Sequence, residues 1–142
     1  MPDPRVFLDA NVLFTAAYSP NGLSALLMEI GAAGGLTLLT SQLAVIEARR
    51  NLEMKRSKAL PGLDRYLRVV KVVTEPAPQD VVRLTPDTLS PNDRPILAAA
   101  IVAGATHFVT GDRHDFGPWM RSRGRLPLLV MTPRQFLETV RP

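Results

Sequence analysis

The chain has 142 residues, 46% of them hydrophobic and 21% charged, with no cysteine and two histidines. That balance fits a globular chain able to bury a core, and the reading is one domain over residues 1–142. Disulfides and thiolate metal sites are excluded, and two histidines are too few for an all-imidazole zinc site. Any metal would be held by oxygen, which points to Mg²⁺ or Mn²⁺.

No apolar run reaches the roughly 18 residues of a membrane span, and the opening MPDPRVFLDA lacks the pattern of a signal peptide. A cytoplasmic protein with no membrane association is expected. The net charge is +4, unevenly spread. Arg49, Arg50, Lys55, Arg56, Lys58, Arg65, Arg68 and Lys71 crowd one stretch, and Arg113, Arg121, Arg123 and Arg125 form a second group. Each run reads either as a solvated face or as a surface that draws a polyanion.

In chain order, RVFL (residues 5–8) reads as a strand ending at Asp9-Ala10-Asn11, with apolar Val12-Leu13-Phe14 beyond. Asp9 is therefore a charge between hydrophobic segments, either a cap or a functional acid. Asn11 is a residue to orient a water or a carboxylate, or another cap. Ser19-Pro20-Asn21-Gly22 is a turn, followed by a helix over residues 23–33 that Gly34-Gly35 closes. Residues 36–40 (LTLLT) read as a second parallel strand, and Ser41 caps a helix from Gln42 to about Ser57.

Within that helix Glu47 lies among apolar neighbours, at the edge of the buried face or paired with Arg49 or Arg50 on the surface. Pro61-Gly62 reads as a break, residues 63–70 as a helix, and residues 69–73 as a strand overlapping it. A proline-bearing loop covers residues 74–79, Val81-Val82 begins a short apolar segment, and residues 85–91 are turn-rich. Asp93 opens a helix with Pro95 in its first turn and Gly104 as its stop. His107-Phe108-Val109-Thr110 is a short buried strand broken by Gly111, with Asp112 and Asp115 just beyond. A short helix is expected from Gly117 to about Gly124, a last strand over 126–131 and a last helix over 133–140. The alternation predicts an α/β fold, three layers (α/β/α) about a central, mostly parallel sheet.

Asp9, Glu47, Asp93 and Asp112 fall where side chains from distant sequence can converge. If they do, two like charges about 4 Å apart repel by roughly 4 kcal/mol at an effective dielectric near 20. Proton uptake or a divalent cation must then relieve the cluster. Thr110 is placed to hydrogen-bond a carboxylate or a bound water, or simply to pack.

Four segments, FLDANVL, Glu47 within LAVIEARRNL, NDRPILAAAIVAGA and HFVTGDRHDF, closely resemble the PIN domain, in the family's order and across nearly the whole chain. This is the metal-dependent ribonuclease fold used by VapC-type toxins of toxin–antitoxin systems. The resemblance implies that Asp9, Glu47, Asp93 and Asp112 are the metal-binding and catalytic set, with Asp115 auxiliary and Asn11 and Thr110 in support. It implies an endoribonuclease in which a metal-activated water attacks the phosphodiester, an antitoxin partner and a homodimer. Pro95 departs from the pattern, and residues 57–89 carry little of it.

Two other readings compete with this one. A haloacid-dehalogenase-like phosphatase needs a second Asp two positions after its nucleophile, where this chain has Asn11. A PIN-fold protein that binds RNA or protein without cutting would more naturally have lost an acid, whereas all four are present.

Overall fold

A computed structural model describes residues 3–140. Met1, Pro2, Arg141 and Pro142 lie outside the described residues, and with them the first two positions of the N-terminal reading. Five strands form one sheet: β1 (Arg5–Leu8), β2 (Thr37–Ser41), β3 (Val70–Val73), β4 (His107–Val109) and β5 (Leu129–Met131). Every pairing is parallel, in the order β3-β2-β1-β4-β5. The chain steps outward from β1 to β3, then returns to the other side of β1. Right-handed crossovers place the helices of those two halves on opposite faces of the sheet, giving the three layers.

Among the described residues the helices are α1 (Ala10–Tyr18), α2 (Leu23–Ala33), α3 (Gln42–Lys55), α4 (Leu60–Leu67), α5 (Pro78–Leu84), α6 (Asp93–Val102), α7 (Arg113–Met120) and α8 (Pro133–Thr139). A single 3₁₀ turn over Ser57–Ala59 leads into α4.

The core lies on both faces of β1, whose Val6, Phe7 and Leu8 are wholly buried. Phe7 stacks on Phe108 of β4 at 5.6 Å, and Phe108 meets Phe116 of α7 at 4.9 Å. Helix α6 is apolar almost all round, and Ile96, Leu97 and the three alanines after them are buried, as expected of a helix pressed between neighbours. Gly104 ends it at φ +72°, a conformation that suits glycine.

Several expected elements change. Val12-Leu13-Phe14 does not merely continue apolar: it belongs to α1, which begins directly after β1 and buries Val12, Leu13, Ala16 and Ala17 at helical spacing. Pro61 and Gly62 do not break the chain. They sit in the first turn of α4, where proline's missing N–H leaves no bond unmade. Val81-Val82 lies inside α5, which Pro78 opens. The helix expected from Gly117 begins instead at Arg113, because the Asp112 side chain accepts the Asp115 N–H and starts the coil earlier. The strand expected from residue 126 starts only at Leu129, since Pro127 has no N–H for a sheet ladder.

Candidate metal centre

The sheet order reverses between β1 and β4, and ligands in such sheets bind outside the carboxyl ends of the strands at that point. Asp9 follows β1 directly, and Asp112 lies three residues after β4. Their strand ends are fastened together, with Asp9 N–H donating to the Val109 carbonyl at 3.0 Å and Thr110 N–H to that of Met131 at 2.9 Å. Asp93 is the first residue of α6, and Glu47 lies in α3, whose N-cap Ser41 ends β2.

Asp9 is buried, and its carboxylate is fully engaged. Oδ1 accepts the Ala10 N–H at 2.8 Å, capping α1. Oδ2 accepts the Thr110 hydroxyl at 2.8 Å and the Asn11 amide at 3.2 Å. Thr110 in turn accepts the Asp112 N–H at 3.0 Å, while Asn11 Oδ1 accepts the Gly111 N–H at 2.7 Å. A Cβ at Gly111 would stand 3.3 Å from Asn11 Oδ1, so glycine suits the close approach. Asn11 and Thr110 thus fix the orientation of Asp9 and the turn that carries Asp112.

Asp93, Asp112 and Asp115 each offer a carboxylate oxygen within 4.8 Å of the others. Asp93 Oδ2 accepts the Ser90 hydroxyl at 2.9 Å, and Asp115 Oδ1 meets His114 Nδ1 at 3.0 Å. Asp9 and Glu47 stand outside this close triad, yet their charges reach it. Glu47 and Asp112 both raise Asp9, and Asp9 raises Asp93. All five acids therefore share one electrostatic environment, but the close contact forms around Asp115 rather than Asp9. The sequence reading ranks Asp115 lower because it ignores the i,i+3 spacing with Asp112 at a helix start. It also misses Ser90, although Ser90-Pro91-Asn92-Asp93 carries the spacing of a hydroxyl residue bonding the third residue on.

The site is short of positive charge. Burial above all lifts the Asp9 carboxyl to about 6, against the opposing pull of its hydrogen bonds. Burial, then the hydrogen bond with Asp115, lifts Asp93 to about 7, and that bond holds Asp115 below the usual carboxylate range. Two neighbouring cations turn elsewhere. Arg94 bonds the Thr85 hydroxyl at 2.9 Å, and Arg49 pairs with Asp64 at 2.9 Å instead of with Glu47. Among the described residues no Lys or Arg lies within 4.0 Å of any of the five acids. What offsets the cluster is backbone: α1, α6 and α7 all begin here, and their N-terminal dipoles favour negative charge. The donor set is all carboxylate oxygen, without a Lys or Arg partner among the described residues and partly protonated at neutral pH, which fits a hard divalent ion such as Mg²⁺ or Mn²⁺.

Fold and site together define a class, a parallel α/β protein with a cluster of carboxylates at its topological switch point. The PIN domain family model matches residues 5–114, and the chain belongs to the PIN domain family. Among solved structures it is similar to VapBC2 from Rickettsia felis, crystallised bound to a DNA fragment from their promoter. The two share 19% identity and a TM-score of 0.68, over 90% of this chain and 98% of that one. It is also similar to PAE2754 from Pyrobaculum aerophilum, at 20% identity and a TM-score of 0.66, over 97% of each chain. At such identities these likenesses speak for the fold. No curated protein matches the chain.

Proposed function

We propose that the protein is a metal-dependent endoribonuclease, the toxin of a toxin–antitoxin pair. One observation carries this reading: three carboxylates within 4.8 Å of one another, beside buried Asp9, at the carboxyl ends of β1 and β4, with no Lys or Arg among the described residues within 4.0 Å and only the exposed His114 paired with Asp115. Asp93, Asp112 and Asp115 would hold Mg²⁺ or Mn²⁺, with Asp9 and Glu47 completing the negative field. The ion would supply the charge that acidifies a water and offsets charge growing on a phosphoryl oxygen.

The chain's own residues do the rest. Thr110 and Asn11 keep Asp9 in one orientation, so its charge is in place before substrate arrives. Ser90 holds Asp93, and the α7 backbone holds Asp112. Asp93 carries a proton near neutral pH and releases it when positive charge enters the site. The basic runs draw the RNA, which fits a chain whose net charge is +4 around an acidic centre.

The reading extends to residues 1–142 acting as one PIN-like domain in the cytoplasm, as a homodimer neutralised by a cognate antitoxin. The fold shared with VapBC2 supports the antitoxin. Among the described residues no helix is long and apolar enough to cross a membrane. The test is cleavage of single-stranded RNA by purified protein with Mn²⁺ or Mg²⁺. Cutting is expected with either ion, to cease in EDTA and to fall by about a hundredfold or more in Asp9→Asn. Wild-type protein that binds RNA without cutting it would leave a non-catalytic binding module instead.

A further inference from the structure

A cleft of about 630 Å³ opens between the loop after α5 and the end of α7. Its volume is in the range of small-ligand sites. Pro86, Trp119 and Leu126 give it apolar walls, and Asp87, Thr88 and Arg125 bring polar groups to it. Arg125 lies over the Trp119 ring at 4.6 Å and is exposed, so it presents a planar cation to the opening. Asp87 and Thr88 are exposed, and neither side chain bonds another described residue.

Both walls lead along the chain to the acid triad. Trp119 follows Asp115 by four residues in α7, so the two share one helix face about one turn apart. The opposite wall continues from Thr88 to Ser90, whose hydroxyl holds Asp93. Arg94 fastens this wall to α6 through the Thr85 hydroxyl at 2.9 Å. Trp119 and Arg125 lie beyond residue 114, outside the segment that the family model matches.

Resting on the nuclease reading above, we propose that this cleft binds the base of the RNA nucleotide next to the scissile phosphate. Single-stranded RNA is held by stacking on aromatic rings and guanidinium planes, and the Arg125–Trp119 pair offers both. Arg125 also supplies charge for the adjoining phosphate, while Asp87 and Thr88 are free to meet donors and acceptors on the edge of the base. The cleft then chooses which nucleotide flanks the cut, and the acids make the cut.

Trp119 is the only tryptophan in the chain, so its emission reports on the cavities that its ring borders, this cleft and the neighbouring one that Arg123 lines. Short single-stranded RNA is titrated into wild-type protein in EDTA and low salt, where binding is read without cleavage. Anisotropy of end-labelled RNA follows overall binding, and tryptophan emission follows the cleft. The expected result is quenching of Trp119 with the same midpoint as the anisotropy change. Arg125→Ala should weaken binding by roughly tenfold, the effect of losing one stacked base. Arg123→Ala, at an equally basic exposed neighbour that lines only the other cavity bordered by Trp119, should weaken it less and leave the quenching in place, which assigns the signal to the cleft.

RNA that binds without changing Trp119 emission would overturn the proposal, as would equal losses in the two arginine variants or no binding at all. Both exposed arginines can be replaced without touching the core, so misfolding does not confuse the comparison. Cleavage by the wild type is a separate readout. A protein that quenches but never cuts keeps the cleft and loses the nuclease.

Discussion

Asp9 and Asp93 carry contradictory demands, since a buried acid weakens the fold unless something compensates it. Their carboxyls rise from 3.8 in the unfolded chain to about 6 and about 7 in the fold. Between those limits the native state binds more protons than the unfolded one. Without a divalent ion, their contribution is therefore fully favourable below about pH 4 and is lost as pH rises through 6 and then 7. For fully buried Asp9 the shift corresponds to as much as about 3 kcal/mol. Urea unfolding in EDTA should show lower stability at about pH 7.5 than at about pH 5, with a shallower slope in Asp93→Asn. Equal slopes in the two proteins would mean that Asp93 does not titrate as described. Of this the sequence marks the candidate acids, at strand ends and at a helix start. It does not show the proton shared by Asp93 and Asp115, which depends on a distance between two helices.

At the scale of elements, α7 joins two tasks in one residue. Asp112 caps the helix through the Asp115 N–H at 3.0 Å and offers an oxygen to the triad. Two substitutions separate these tasks. Asparagine still caps well, so Asp112→Asn should leave thermal stability nearly unchanged while sharply weakening Mn²⁺ binding. Asp112→Ala should lose cation affinity and about 1 kcal/mol of stability as well. Equal stability of the two variants would argue that the cap is unimportant. This double use also explains why the sequence reading starts the helix too late. Asp112 and Asp115 read as loop acids because their neighbours Arg113 and His114 have no apolar periodicity, and Gly117-Pro118 resembles an opening. Helix α1 is hidden for a related reason. Its nine residues are too uniformly apolar to show a polar face, and the sequence leaves Asp9 open between a cap and a functional acid, while in the fold its carboxylate holds the Ala10 N–H and sits beside the other acids.

For the molecule as a whole, the strand order turns scattered acids into one site. The alternation of apolar strands and amphipathic helices makes the parallel sheet legible, since each crossover needs a helix. The order β3-β2-β1-β4-β5 is not legible in the same way, because no residue in β4 states that it pairs with β1 and not with β3. Pairing of β4 with β1 brings Thr110 to Asp9 and Asp112 to Asp93, from positions about a hundred residues apart in the case of Thr110 and Asp9. Three helices then begin at that point, and their dipoles supply partial charge that makes the acids more tolerable.

Calorimetric titration of Mn²⁺ into the wild type and into Asp93→Asn tests this account most directly. The wild type should bind saturably, and at about pH 7.5 at least tenfold more tightly than at about pH 5.5, because the protons on Asp9 and Asp93 must leave first. Asp93→Asn should lose that binding and its dependence on pH. Manganese affinity unchanged in Asp93→Asn would contradict the central claim, placing the ion somewhere other than the triad at the ends of β1 and β4.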